Sequence, residues 1–212
     1  MAEERLKLWQ TLFQRALLLI DSARDNGATL DYWSFGGGTV LMRRHHHRFS
    51  KDIDIFVSDP QCLPYLSPRL NDQAESLTSD YIEQAGFLKL NFPEGEIDFV
   101  ASAPLTENAT VVEVLFGSEV QVETSSEIIA KKVWYRGDQF TARDIFDLAM
   151  VAEKEPAALL QIQPILRDRR DAILARIASQ EFALRETFVA LEVLDYQRSF
   201  DECVELAKTA LG

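Results

Sequence analysis

Ser34-Phe35-Gly36-Gly37-Gly38-Thr39, followed by Arg48-Phe49-Ser50-Lys51-Asp52-Ile53-Asp54-Ile55-Phe56, is the stretch that decides the fold. Tyr32 to Phe35 is a short apolar run that ends in three glycines, after which Thr39 to Arg44 can start a helix. Ile53 to Val57 predicts a strand, stopped by Ser58-Asp59-Pro60. Side chains two apart on a strand share a face, so Asp52 and Asp54 stand side by side while Ile53 and Ile55 turn into apolar packing. Adjacent carboxylates repel, and a bound divalent cation removes the conflict. Hard oxygen ligands of this kind suit Mg2+ or Mn2+. A glycine turn lets backbone approach phosphates, and a following helix offers free N–H groups. Gly37, Gly38 and the Thr39 hydroxyl are therefore expected to bind nucleotide.

Working outward, residues 4–25 read as an amphipathic helix through Trp9, Leu12, Phe13, Ala16, Leu17 and Ile20, with Asn26-Gly27 as its stop. Phe87 to Phe92 and Ile97 to Ala101 read as a hairpin around Pro93-Glu94-Gly95, and Val111 to Phe116 with Val120 to Glu123 as another. Asp98 lies in the second strand of the first hairpin. If that strand neighbours Ile53 to Val57, Asp98 completes a catalytic, metal-binding trio with Asp52 and Asp54. After Thr124 the strands cease. Ser125 to Arg136, Ala142 to Ala152, Ala157 to Ile162, Ile165 to Ser179, Phe182 to Leu194 and Phe200 to Ala210 all read as helices. The expected fold class is α+β: a mixed sheet flanked by helices over residues 1–124, then a helical bundle over residues 125–212.

The net charge of −12 disfavours long-range attraction of a polyphosphate chain, although a local basic patch can still dock one end of an RNA. Arg43 to Lys51 is one such patch. Arg167 to Arg176 is interrupted by Asp168 and Asp171 and reads as a solvated helix face. No run is apolar enough to span a bilayer, and the N-terminal stretch is acidic rather than basic, so a cytoplasmic protein with no membrane partner is expected. The two cysteines, Cys62 and Cys203, fit a reducing compartment and form no zinc-ligand set.

Gly37-Gly38, thirteen intervening residues and Asp52-Ile53-Asp54 resemble the signature of DNA polymerase beta-like nucleotidyltransferases. Glu127-Ile128-Ile129-Ala130-Lys131-Lys132, Tyr135-Arg136-Gly137 and Arg143-Asp144-Ile145-Phe146-Asp147-Leu148 are similar to the AbiEii/AbiGii toxin family. The resemblance covers roughly residues 30–150. It implies a nucleotidyltransferase fold and metal-dependent transfer of a nucleoside monophosphate from an NTP to an acceptor hydroxyl. It also implies a toxin-like role with RNA (tRNA) or protein as acceptor, and an antitoxin partner. Arg48 and Ser50 match the family's Arg-x-Ser-x-Asp run, which places them near the triphosphate. The acidic charge keeps a small-molecule, aminoglycoside-type transferase open as an alternative, beside a catalytically silent nucleotide-binding module.

On a helical wheel, Lys132 and Arg136 fall between Ile128 and Ile129 on the inward face, and Lys131 falls outside it. An inward cation needs a partner. Nucleotide phosphates or the aspartates would serve, making Lys132 catalytic and Arg136 nucleotide-binding. The alternative is a buried salt bridge to Asp144 or Asp147. Those two acids are three apart and share a helix side, where they would orient Lys132 or Arg136. His45, His46 and His47 cannot all face one ion, and a solvated loop is the expectation there.

Overall fold

The computed structural model describes residues 2–212 in two compact units. The first comprises residues up to Val40, Ser50–Ala103 and Thr110–Glu123. It contains α1 (Ala2–Arg5), α2 (Leu8–Asp25), β1 (Trp33–Gly36) and the start of α3 (Gly37–His45). Then follow β2 (Ile53–Val57), α4 (Leu63–Leu66), α5 (Asp72–Leu77), β3 (Tyr81–Gln84), β4 (Phe87–Phe92), β5 (Gly95–Ala101), β6 (Thr110–Leu115) and β7 (Ser118–Glu123). The α2 helix buries Trp9, Leu12, Phe13, Ala16, Leu19, Ile20 and Ala23 along one stripe. It stops where Gly27 turns left-handed at φ +91. Phe13 sits 4.6 Å from Phe35, ring centre to ring centre, which anchors the helix on the sheet.

The seven strands form one mixed sheet in the order β3-β4-β5-β2-β1-β7-β6. The β2 strand runs antiparallel to β1 and parallel to β5. Its odd-numbered residues, Ile53, Ile55 and Val57, are buried, as are Ile97 and Phe99 of β5, against which α2 packs. Asp54 and Asp98 therefore point to the opposite face. The short pieces α4, α5 and β3 carry no strong sequence period. The β3 strand is an edge strand ordered by pairing with β4, Tyr81 against Leu90 and Gln84 against Phe87.

The second unit comprises Leu41–Phe49, Pro104–Ala109 and Thr124–Gly212. Besides the end of α3 it holds α6 (Ser125–Arg136), α7 (Ala142–Lys154), α8 (Pro156–Leu160), α9 (Gln163–Ser179), α10 (Glu181–Val189) and α11 (Phe200–Leu211). Capping boxes start α7 (Thr141 with Asp144) and α11 (Ser199 with Glu202). The helix expected over 182–194 ends at Val189. Residues beyond it are drawn into a short extended clip: Phe49 N donates to Glu192 O at 2.8 Å and Leu194 N to His47 O at 2.9 Å. This clip joins residues 46–49 to the helical unit although they precede β2 in sequence. Cys62 and Cys203 are buried free thiols. Among the described residues no helix is long and apolar enough to cross a membrane.

Candidate active site

In the first unit the sheet register sets Gly36 beside Asp54, Asp54 beside Asp98, and Asp98 beside Lys89. Residues in register on adjacent strands share a face, so two carboxylates and an ammonium form one rung across four strands. Lys89 Nζ lies 3.0 Å from Asp98 Oδ1 and donates to Oδ2 at 3.1 Å, and it also pairs with Glu96. Asp52 precedes the strand, and its Oδ1 accepts the Glu96 backbone N–H at 3.1 Å. Burial raises the Asp98 pKa; Lys89 opposes the shift, and Glu96 and Asp52 add to it.

The glycines serve these carboxylates. A Cβ on Gly37, which is left-handed at φ +73, would lie 1.9 Å from Asp54 Oδ2. A Cβ on Gly36 would lie 2.2 Å from Glu123 Oε2. Any side chain at either position would displace a carboxylate, whereas glycine at Gly37 also tolerates the backbone geometry. Glu123 itself is buried and accepts the Ser34 hydroxyl at 3.0 Å. Gly38 is buried and Gly37 half-buried.

Thr39 is fully buried, and its hydroxyl donates to the Asp52 carbonyl at 2.6 Å and lies 3.0 Å from Ser50 Oγ. The bond pins the backbone ahead of β2. Ser50 is half-buried beside it.

A second cluster of charges lies in the helical unit. Asp147 is fully buried; Arg48 donates to it through Nε and Nη2, each at 2.7 Å. Lys132 Nζ lies 2.7 Å from Asp144 Oδ1 and 3.1 Å from Asp147 Oδ2. Arg136 Nη1 reaches Asp144 Oδ1 at 3.2 Å from a half-exposed position. Burial alone would raise both aspartates. For Asp144, Lys132 and Arg136 override it; for Asp147, Arg48 and Lys132 hold the carboxyl well below the usual range. The ion pairs of Lys132 with Asp144 and Asp147 are those weighed as the alternative to phosphate contact. Arg48, expected near the triphosphate, is a buried partner of Asp147.

Two expectations are corrected. Lys131, placed outside the inward sector, is buried, 3.6 Å from the fully buried Glu127. Glu127 accepts the backbone N–H groups of Leu105 and Thr106, so residues 104–109 cover what the wheel left open. The histidines are not a solvated loop either. His46 is exposed beside Asp195, but His45 contacts Glu155 at 2.6 Å and His47 is fully buried. His47 Nε2 meets Asp147 Oδ1 at 2.8 Å, and its ring stacks on Phe146.

Burial lowers the His47 pKa, Asp147 pulls the other way and Arg48 adds to the lowering, so the neutral ring is the folded form. Nε2 then carries the proton given to Asp147. The buried Nδ1, which has no hydrogen-bond partner among the described residues, stays unprotonated. The unfolded chain accepts a proton near pH ~6.5 and the folded chain only lower. His47 therefore stabilises fully above ~6.5, and that contribution is lost as pH falls toward the lowered folded value. The melting temperature should drop as pH falls below ~6.5, and His47→Gln should flatten the drop. Parallel profiles for the two proteins would refute the assignment.

Sequence reasoning missed Lys89, Glu96 and Glu123. The hairpin register carried the signal for Lys89, since strands paired around Pro93-Glu94-Gly95 set it against Asp98. Nothing local marked Glu123. Among the described residues no group of three or more His, Cys, Asp or Glu side chains is arranged to hold a metal ion. Carboxylate oxygens are the donor type that a hard divalent cation takes, and Asp54 and Asp98 stand in register on adjacent strands.

Comparison with known proteins supplies the context. The family model described as nucleotidyl transferase AbiEii toxin, type IV toxin–antitoxin system, matches residues 22–210. No curated protein matches. A crystal structure of a candidate nucleotidyltransferase from H. pylori is similar at TM-score 0.50 and 16% identity, over 91% of this chain and 90% of that one. The antibiotic-resistance factor ANT(2'')-Ia is similar at TM-score 0.50 and 14% identity, over 82% and 95%. MenT4, a nucleotidyltransferase toxin from Mycobacterium tuberculosis, is similar at TM-score 0.46 and 20% identity, over 77% and 65%. At these identities the likeness to the first two structures speaks to fold alone.

Proposed function

We propose, on the premise that this chain belongs to the nucleotidyl transferase AbiEii toxin family and is a nucleotidyltransferase, that it moves a nucleoside monophosphate from an NTP to a hydroxyl of an RNA acceptor. The observation that carries the reading is the rung in which Asp54 and Asp98 stand side by side on parallel strands, with Gly37 bare against Asp54. Asp52, Asp54 and Asp98 would hold Mg2+ or Mn2+. When bound, that ion supplies positive charge for the triphosphate and the leaving pyrophosphate. In the transfer the acceptor oxygen bonds to the α-phosphorus, the α–β anhydride bond breaks, and pyrophosphate departs. Asp98, in register with Asp54 on the neighbouring strand, would take the acceptor's proton. Lys132, held by Asp144 and Asp147, would take part in transfer only by loosening that hold. An antitoxin is the partner that the family implies.

Incubation with each labelled NTP and Mg2+, with and without total RNA, tests this reading. Label in the RNA is the expected result. The net charge of −12 favours the competing reading, a small-molecule acceptor. Label that enters only an aminoglycoside would establish that reading and overturn the RNA one. The metal assignment has its own test. Mg2+ or Mn2+ with NTP should raise the melting temperature, because a ligand of the folded state stabilises it by mass action. The Asp52→Asn, Asp54→Asn, Asp98→Asn triple variant should lose the rise. An undiminished rise would place the ion elsewhere.

A further inference from the structure

The basic stretch Arg167 to Arg176, read from sequence as a solvated helix face, divides its work in the structure. Arg169 lies over the Trp134 ring at 4.3 Å. Arg176 turns into a cleft of about 490 Å3 in the helical unit, between the end of α6, the start of α7, α9 and α10. Two further arginines line it, Arg136 and Arg143, and no acidic residue among the described ones does. Arg143 forms no ion pair among the described residues. Arg176 Nε is buried with no hydrogen-bond partner among them. Only Arg136 has a counter-charge, Asp144 at 3.2 Å.

Three guanidinium groups around one cleft repel each other, and an anion between them removes that cost. Guanidinium suits phosphate, which it can bind through two parallel hydrogen bonds. The remaining lining is largely apolar, with Leu184 of α10 and Leu191 just beyond its end. The Thr187 hydroxyl spends its proton on the Ala183 carbonyl at 3.0 Å, which leaves its oxygen able to accept from a ligand hydroxyl. Such a cleft suits a phosphate joined to a flat, partly apolar body with hydroxyl donors, and its volume lies within the roughly 300–1,000 Å3 of small-ligand sites.

We propose that this cleft binds a nucleoside monophosphate unit, free or at the 5′ end of an RNA strand, with Arg143 and Arg176 on the phosphate. Binding there calls on none of the rung carboxylates, and its test needs no transfer. Binding of AMP, adenosine, and a 5′-phosphorylated RNA trinucleotide with its 5′-hydroxyl counterpart is measured by calorimetry without divalent cations. The phosphorylated member of each pair should bind at least about tenfold more tightly, with an affinity that falls as salt rises. The Arg143→Gln, Arg176→Gln double variant should lose that advantage while keeping its melting temperature. Arg167→Gln, outside the cleft on the same helix, should keep it. AMP binding as tight as the trinucleotide assigns a free nucleotide; tighter trinucleotide binding assigns an RNA end. Equal binding with and without phosphate overturns the proposal, as does undiminished binding by the double variant or an equal loss in Arg167→Gln.

Discussion

Asp54→Ala is expected to lower nucleotidyl transfer by a hundredfold or more, on the order of the loss seen when a preorganised electrostatic group is removed from an active site. Asp54 stands at the centre of the rung, beside Asp98 on one side and Gly36 on the other. Gly37 brings backbone to a distance from its carboxylate that no other residue would allow. The melting temperature should fall far less than turnover, because Asp54 is only half-buried and lies on the face opposite the apolar packing of Ile53 and Ile55. Turnover and melting temperature measured on one preparation separate the two effects. Wild-type turnover in a folded Asp54→Ala protein would remove the rung from the mechanism. The adjacent exchange Gly37→Ala should be damaging by a different route, since its new methyl must displace the Asp54 carboxylate.

Asp147→Ala is expected to produce the largest loss of stability of any single change in the helical unit. Asp147 is fully buried and answers to Arg48 at 2.7 Å, His47 at 2.8 Å and Lys132 at 3.1 Å. Removing it deletes the carboxylate that Arg48 and Lys132 share. Breaking a buried pair in this way costs about 3–5 kcal/mol, a fall of roughly 6–20 °C for a chain of this size. The cost comes from the charges left behind, so an Asp147→Ala, Arg48→Met double variant should recover part of it. A melting temperature within a degree of wild type for the single variant would mean that water reaches Arg48 and the network carries little weight. Activity lost in proportion to folded protein would make Asp147 a structural residue. Activity lost beyond that would show that it also sets Lys132.

The parts of this molecule legible in its sequence are those coded by short-range patterns. Alternation in Ile53-Asp54-Ile55 decided which face the carboxylate takes, because the pleat imposes a period of two whatever the partners are. The limits of α6 followed from a threonine cap and an apolar repeat. Asp98 was foreseeable from a hairpin turn, yet its neighbour Asp54 lies across a parallel pairing that only the sheet order establishes. The charged pairs that join distant parts of the chain were decided by tertiary structure. Arg48 meets Asp147 across 99 residues of sequence, and Ser34 meets Glu123 across 89. The helical wheel misjudged Lys131 because a wheel knows its own helix only, whereas the Glu127 that Lys131 pairs with is itself bound by Leu105 and Thr106 from outside that helix. Local patterns bury apolar faces. Burial in turn obliges every enclosed charge to find a counter-charge, and the chain's path through space determines which one lies within reach.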